Sequence, residues 1–125
     1  MSYRVLIIDD SALVRALLQE MLQALGHQVV GQAGNAADGL QSWRSEHPDL
    51  VLLDISLPDQ DGFLVLEEMR GEEPSLPVLF VTGNTQKKVI ERARELKASG
   101  VLKKPFDAAR LAAAIEAVGA GRWLS

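Results

Sequence analysis

Five short apolar runs alternate along the chain with longer segments of helical period, the pattern of successive βαβ units around a parallel sheet. The first run, Arg4–Ile8, precedes a segment in which Val14, Leu18, Met21, Leu22 and Leu25 recur at helical spacing. Gly26 stands where a left-handed C-terminal cap is expected. Val29–Ala33 is a weaker strand, and Asn35 is placed to cap a helix whose inner stripe is Ala36, Leu40 and Trp43. Pro48 ends that helix. Leu50–Leu53 is apolar throughout, as expected of a strand buried on both faces.

The loop Ser56–Gly62, punctuated by Pro58 and Gly62, leads into a helix carrying Phe63, Leu66 and Met69, with Gly71 and Pro74 as its terminators. Val78–Val81 is the fourth strand. A charge-rich helix follows from about Gln86 to Ala98, and after Gly100 comes a fifth strand, Val101–Lys103. Asp107 caps the last helix. Phe106 and Leu111 bracket that cap as a hydrophobic staple, and Leu111, Ile115 and Val118 form the inner stripe. The expected architecture is an α/β doubly wound five-stranded parallel sheet with helices on both faces, one domain over 1–118. Residues 119–125 are a C-terminal tail or the start of a linker.

What sets these runs apart is how they end. Asp9 and Asp10 follow the first strand, Asp54 the third, Thr82 the fourth and Lys104 the fifth. In a parallel sheet all of these emerge at one edge, and in open α/β sheets ligands bind outside the carboxyl ends of the strands. Two carboxylates about 4 Å apart repel by roughly 4 kcal/mol at an effective dielectric of 20, so a proton or a cation must relieve them. Oxygen donors without His or Cys suit a hard ion, Mg²⁺ best. Asp9 and Asp10 also read as helix-capping residues, and one can cap while the other ligates. Asp54 has no such structural use. A carboxylate in that position can serve as a nucleophile that forms an aspartyl-phosphate. Lys104, and the Thr82 hydroxyl or Gly83 N–H, would neutralise and bind the phosphoryl oxygens.

Composition narrows the classes that remain. The chain has 125 residues, a net charge of −4 and no Cys, so disulfides and thiolate metal sites are absent. Its mild acidity argues against direct nucleic-acid binding, which needs clustered Lys and Arg. No apolar stretch reaches the roughly 20 residues that span a bilayer. Met1–Arg4 runs straight into a strand pattern without room for a signal peptide, and a cytoplasmic location is expected. His27 follows a helix-ending Gly and His47 precedes Pro48; both read as exposed loop residues.

Taken together, Asp9-Asp10, Asp54, Leu57-Pro58, Asp61-Gly62, Thr82-Gly83 and Lys104-Pro105-Phe106 resemble the motif set of response regulator receiver domains, the CheY-like fold of two-component signalling. The resemblance covers about Arg4 to Val118. It implies strand order 2-1-3-4-5 and a phosphoacceptor at Asp54, charged from a phosphohistidine on a sensor histidine kinase or a histidine phosphotransfer protein. It further implies Mg²⁺ ligated directly by Asp10 and Asp54 and by the Ser56 backbone carbonyl, with Asp9 acting through water. Thr82 and Lys104 would clasp the phosphoryl group.

Such a chain is a signalling phosphoacceptor rather than an enzyme, catalysing only its own phosphorylation and dephosphorylation. It controls an output protein or a C-terminal effector domain. Ser56 and Asn84 would border the attacking water and tune the lifetime of the phosphorylated state. Val101 stands where many receivers carry Tyr or Phe, so the output is expected from the loop after Thr82 and the fourth helix rather than from a ring flip. The fourth helix, fifth strand and fifth helix would form the partner face, open also to a homodimer, with Val89, Ile90, Val101 and Lys103 offered among charges.

Three other readings fit less well. A haloacid-dehalogenase-type phosphatase needs a second Asp two residues after the nucleophile, where this chain has Ser56, and no P-loop motif is present. A phosphorylation-independent interaction scaffold usually lacks one of the key residues, and here all five are present.

Overall fold

The computed structural model describes residues 2–125. Met1, which the sequence reading counts with the approach to the first strand and in the domain 1–118, lies outside the described residues. Strands and helices alternate strictly: β1 Arg4–Ile8, α1 Ala12–Ala24, β2 Gln28–Ala33, α2 Ala36–Glu46, β3 Leu50–Leu53, α3 Gly62–Glu72, β4 Val78–Thr82, α4 Lys87–Glu95, β5 Gly100–Lys103 and α5 Ala108–Gly119. The strands form one sheet in the order β2-β1-β3-β4-β5, and every neighbouring pair is parallel.

Alternation along the strands sorts the core into two layers. Val5, Ile7, Leu50, Leu52, Leu79, Val81 and Leu102 pack with Leu18 and Leu22 of α1 and with Leu111 and Ile115 of α5. Leu6, Ile8, Val51, Leu53, Val78, Phe80 and Val101 face the other way, onto α2, α3 and α4 through residues such as Trp43, Leu66, Met69 and Ala93. The central strands β3 and β4 are buried along their whole length, which explains their unbroken apolar runs. The doubly wound expectation and its strand order are therefore met.

The predicted caps hold where a local signal existed. Asn35 and Asp107 accept from the N–H groups of Asp38 and Arg110, and Gly26 has φ +89° beyond the end of α1. Four expectations need correction. Gly71 does not end α3, which runs to Glu72. The helix is closed instead by the Glu73 N–H on the Met69 carbonyl and by the Arg70 guanidinium on the carbonyls of Glu73, Leu76 and Lys97. The helix α4 is shorter than expected, because Lys97 adopts φ +62° and turns the chain toward β5. His27 is half-buried rather than an exposed loop residue. It stacks at 5.5 Å on Tyr3 and accepts the Tyr3 N–H at Nδ1, and burial holds its pKa below the usual range.

The fourth correction concerns the expected partner face. Val89 and Val101 are buried rather than offered to solvent, while Lys103 is exposed and Ile90 partly so. The chain beyond α5 turns back at Gly121 (φ +67°), and the Leu124 carbonyl accepts the Val101 N–H at 2.8 Å.

Candidate functional site

The buried polar or charged residues among those described are Asp9, Asp54 and Thr82, exposed by 1%, 6% and 2%. All three sit at the carboxyl ends of strands in the middle of the sheet. Burying such groups is costly without partners, so their gathering at one edge calls for chemistry rather than packing. The backbone places them directly. Ile8 and Leu53 are register partners, the Asp54 N–H donates to the Ile8 carbonyl at 2.9 Å, and Asp9 and Asp54 leave adjacent strands side by side. One strand further along, the Lys104 N–H donates to the Thr82 carbonyl at 2.9 Å, which brings the lysine to the same rim.

The side chains then meet. Lys104 Nζ lies 2.8 Å from Asp9 Oδ2 and 3.3 Å from Asp54 Oδ2, bridging the two buried carboxylates. Asp9 Oδ1 accepts the Ser11 N–H at 2.9 Å, and Asp54 Oδ1 accepts the Ser56 N–H at 3.3 Å. Oxygens of Asp9, Asp10 and Asp54 fall within 4.8 Å of one another, with Asp10 exposed at the mouth. Three carboxylates share one ammonium, leaving an excess of two negative charges. Burial and the neighbouring Asp9 raise the Asp54 pKa, and the Lys104 charge offsets this only in part. Burial alone would lower the Lys104 pKa, but its contacts with Asp9 and Asp54 outweigh that and hold it above the ordinary lysine value.

This donor set fits a hard divalent cation. It is all oxygen, it carries surplus negative charge, it has an exposed member through which hydrated ions can enter, and Asp9 Oδ2 has the lysine as its sole partner among the described residues.

Of the other expected residues, Ser56 stands exposed beside Asp54, and Gly83 is open, with nothing within 4 Å of where a side chain would begin. The Thr82 hydroxyl accepts the Asn84 N–H at 3.1 Å, and Asn84 Oδ1 accepts the Gln86 N–H at 3.2 Å, so the loop after β4 is folded on its own side chains. Val101 does not border the site. It packs in the α4-side core, on the edge strand, and its N–H is the group that meets the Leu124 carbonyl.

Three further residues support the site: Asp61 and Gly62, which stood in the sequence motif without an assigned role, and Asp59, which carried no signal. A side chain at Gly62 would overlap the Asp54 carbonyl oxygen and lie 2.8 Å from Ile55 Cα, so α3 approaches the acceptor strand only because that residue is Gly. Asp61 caps α3 by accepting the Phe63 N–H at 2.7 Å. Asp59 reaches across to accept the N–H groups of Ala36 and Ala37 at 2.8 and 3.0 Å, pinning the β3–α3 loop to the start of α2.

Comparison with known proteins decides the family. The response regulator receiver domain model matches residues 5–116. The chain belongs to the response regulator receiver family. It is 37% identical over 113 residues to the transcriptional regulatory protein PdtaR of Mycobacterium tuberculosis, covering 90% of this chain and 55% of that one. The chain thus spans about half the length of PdtaR. It is 31% identical over 115 residues to the chemotaxis protein CheY of Bacillus subtilis, covering 92% of this chain and 96% of CheY.

A solved LuxR-family two-component response regulator from Aurantimonas superposes with a TM-score of 0.92 at 29% identity, covering 100% of this chain and 90% of its own. Receivers of this family are signalling phosphoacceptors rather than classical enzymes; they generally bind Mg²⁺ at an acidic pocket and interact with histidine kinases and output domains. Among the described residues no helix is long and apolar enough to cross a membrane.

Proposed function

We propose that Asp54 is the phosphoacceptor of this receiver and that Asp9, Asp10, Asp54 and the Ser56 carbonyl hold Mg²⁺ beside it. The observation that carries the reading is the pair of buried carboxylates, Asp9 and Asp54, bridged by Lys104 at the carboxyl edge of the sheet. When bound, Mg²⁺ supplies positive charge to the carboxylates and to a phosphoryl oxygen. An Asp54 oxygen attacks phosphorus, the P–N bond of a phosphohistidine breaks, and the imidazole leaves with the electron pair and takes up a proton. Lys104, freed from Asp54 as that carboxylate becomes an acyl phosphate, neutralises a phosphoryl oxygen. Thr82 releases the Asn84 N–H to bond a second oxygen, a role the Gly83 N–H can share.

Hydrolysis returns the carboxylate. Ser56 and Asn84 flank the path of the attacking water, and neither brings a base, so the chain accelerates its own dephosphorylation through charge and positioning alone. The donor is a histidine kinase or histidine phosphotransfer protein in the cytoplasm, and the output is a partner or an attached effector domain. An interaction scaffold independent of phosphate would have no use for a buried Asp54.

Intact-mass measurement after incubation with acetyl phosphate tests the assignment. A gain of one phosphoryl group that requires Mg²⁺ and disappears in Asp54→Asn is expected. Equal labelling of Asp54→Asn would sink it.

A further inference from the structure

Two of the four groups assigned to Mg²⁺ lie beyond the hydrogen bonds of the sheet. Asp9 and Asp54 are fixed by those bonds: the Asp9 N–H donates to the Ala33 carbonyl at 3.0 Å, and the Asp54 N–H to the Ile8 carbonyl at 2.9 Å. Asp10 follows one residue after Asp9, and Ser56 two residues after Asp54, so each needs another hold.

The structure supplies both holds from one place. The peptide unit between Asp9 and Asp10 is held from α1, where the Arg15 guanidinium donates to the Asp9 carbonyl at 2.7 Å. The same guanidinium lies against the turn between β2 and α2: a side chain at Gly34 would begin 3.2 Å from Arg15 Nη1. The loop after β3 is closed on itself by an antiparallel bridge between Ser56 and Asp61, and by the Gly62 N–H on the Ile55 carbonyl at 2.7 Å. From within that loop the Asp59 carboxylate takes the N–H groups of Ala36 and Ala37 at 2.8 and 3.0 Å, and Asn35 takes that of Asp38 at 2.8 Å. The first three donors of α2 are thereby all used. β2 and β3 are two strands apart, with β1 between them. Residues 33–37 give the acidic cluster no carboxylate, yet both metal-bearing loops are tied to them.

We propose that Arg15 and Asp59 are positioning residues for the metal: through the turn between β2 and α2 they fix Asp10 relative to the Ser56 carbonyl, and so favour Mg²⁺ over the larger Ca²⁺. The brace rests on the metal assignment above. Mg²⁺ demands oxygens at about 2.0–2.1 Å in a near-ideal octahedron, whereas Ca²⁺ accepts about 2.3–2.6 Å in flexible geometry. Loosening the two loops therefore costs the demanding ion and spares the tolerant one. Both ions carry two charges, so a change of charge near the site alters both affinities alike and leaves their ratio unchanged.

Calorimetric titration of the full chain with Mg²⁺ and, separately, with Ca²⁺ tests the brace in Asp59→Ala, Arg15→Met and the double variant. Asp59 is exposed and Arg15 partly so, and amide spectra confirm that each variant is folded. Each single variant binds Mg²⁺ roughly tenfold more weakly, the low end for residues that orient metal ligands, and Ca²⁺ no more than about twofold more weakly. The double variant is no weaker than the weaker single, because one broken tie already frees the gap. Asp59→Asn, which keeps one acceptor oxygen at the same charge as Asp59→Ala, recovers part of the Mg²⁺ loss.

Equal losses for the two ions overturn the proposal, since charge alone then explains them. Losses that multiply in the double variant overturn the shared turn, and unchanged Mg²⁺ binding in both singles overturns the brace outright. A wild type that fails to bind Mg²⁺ overturns the metal assignment and the brace with it, so the wild-type titration separates the two failures.

Discussion

The two ends of the sheet both collect charged residues and treat them in opposite ways. At the amino end the Arg4 N–H donates to Asp49 Oδ1 at 2.6 Å, and the Arg4 guanidinium donates to the carbonyls of Glu46 and His47 at 2.8 and 2.7 Å, closing the end of α2. The Tyr3 N–H is taken by His27. Each group there has a partner of matching character, and the groups are largely in reach of water. At the carboxyl end, Asp9 and Asp54 are buried and share a single ammonium, with Asp10 adding a third negative charge. The first arrangement holds the chain together. The second gives up stability to keep a concentrated negative charge ready for a cation and a phosphoryl group, the kind of unbalanced cluster that marks functional sites.

The sharpest way to break this comparison is to remove the one cation. Lys104→Met leaves two buried carboxylates facing each other, and stability in the absence of divalent ions should fall by about 2 kcal/mol. Breaking a fully buried pair costs more, but this lysine is partly exposed. Because Lys104 occupies the Asp9 and Asp54 oxygens that a metal would use, the variant should bind Mg²⁺ more tightly, and millimolar Mg²⁺ should restore most of the loss. Urea unfolding with and without Mg²⁺ reads both effects. A variant that Mg²⁺ does not rescue would show Lys104 acting on the fold rather than on the charge balance.

This dependence on Lys104 was only partly legible in the chain. Which residues meet was readable, because strands β1, β3, β4 and β5 end where their apolar runs end, and a parallel sheet aligns those ends. The caps at Asn35 and Asp107 were readable for the same reason: their partners lie within three residues. That Lys104 bridges Asp9 and Asp54 rather than waiting for phosphate depends on side-chain distances across two and three strand spacings, which no spacing rule supplies. Asp59 holds amides 22 and 23 residues away, and Gly62 is required by a backbone contact with Asp54, so the need for each is tertiary. The path of the tail was not legible: in Gly-Ala-Gly nothing marks Gly121 as the residue whose positive φ sends Trp123 and Leu124 back onto β5.

A smaller effect of opposite sign follows from Asp54. Its folded-state pKa is raised, by burial first and by Asp9 second, so above the unfolded value near 3.8 the folded state holds that proton more tightly than the unfolded one. The contribution of Asp54 to stability is therefore greatest below that pH and is lost as pH rises through the raised value. Asp54→Asn cannot ionise and should be more stable than the wild type at pH 7 without divalent ions. The gain should be about 1 kcal/mol, the part of a roughly 4 kcal/mol carboxylate repulsion that Lys104 does not offset. Thermal unfolding from pH 3.5 to 7 should show the two curves diverging as pH rises, and parallel curves would mean that Asp54 is already fully balanced.

The control lies at the other end. Arg4→Gln removes the guanidinium from the Glu46 and His47 carbonyls but leaves the bond from the Arg4 N–H to Asp49, because that donor is backbone. Both acceptors are at the surface and can turn to water, so the cost should be about 0.5 kcal/mol, the size of a helix C-terminal charge interaction. Unlike the two changes at the carboxyl end, it should be the same with and without Mg²⁺, since nothing at the amino end competes for a cation. It should also be flat between pH 4 and 6, because arginine does not titrate there and its partners are carbonyls. A Mg²⁺-dependent cost for Arg4→Gln would mean that the ends communicate through the sheet, and the contrast between a balanced end and a charged one would have to be redrawn as a single network.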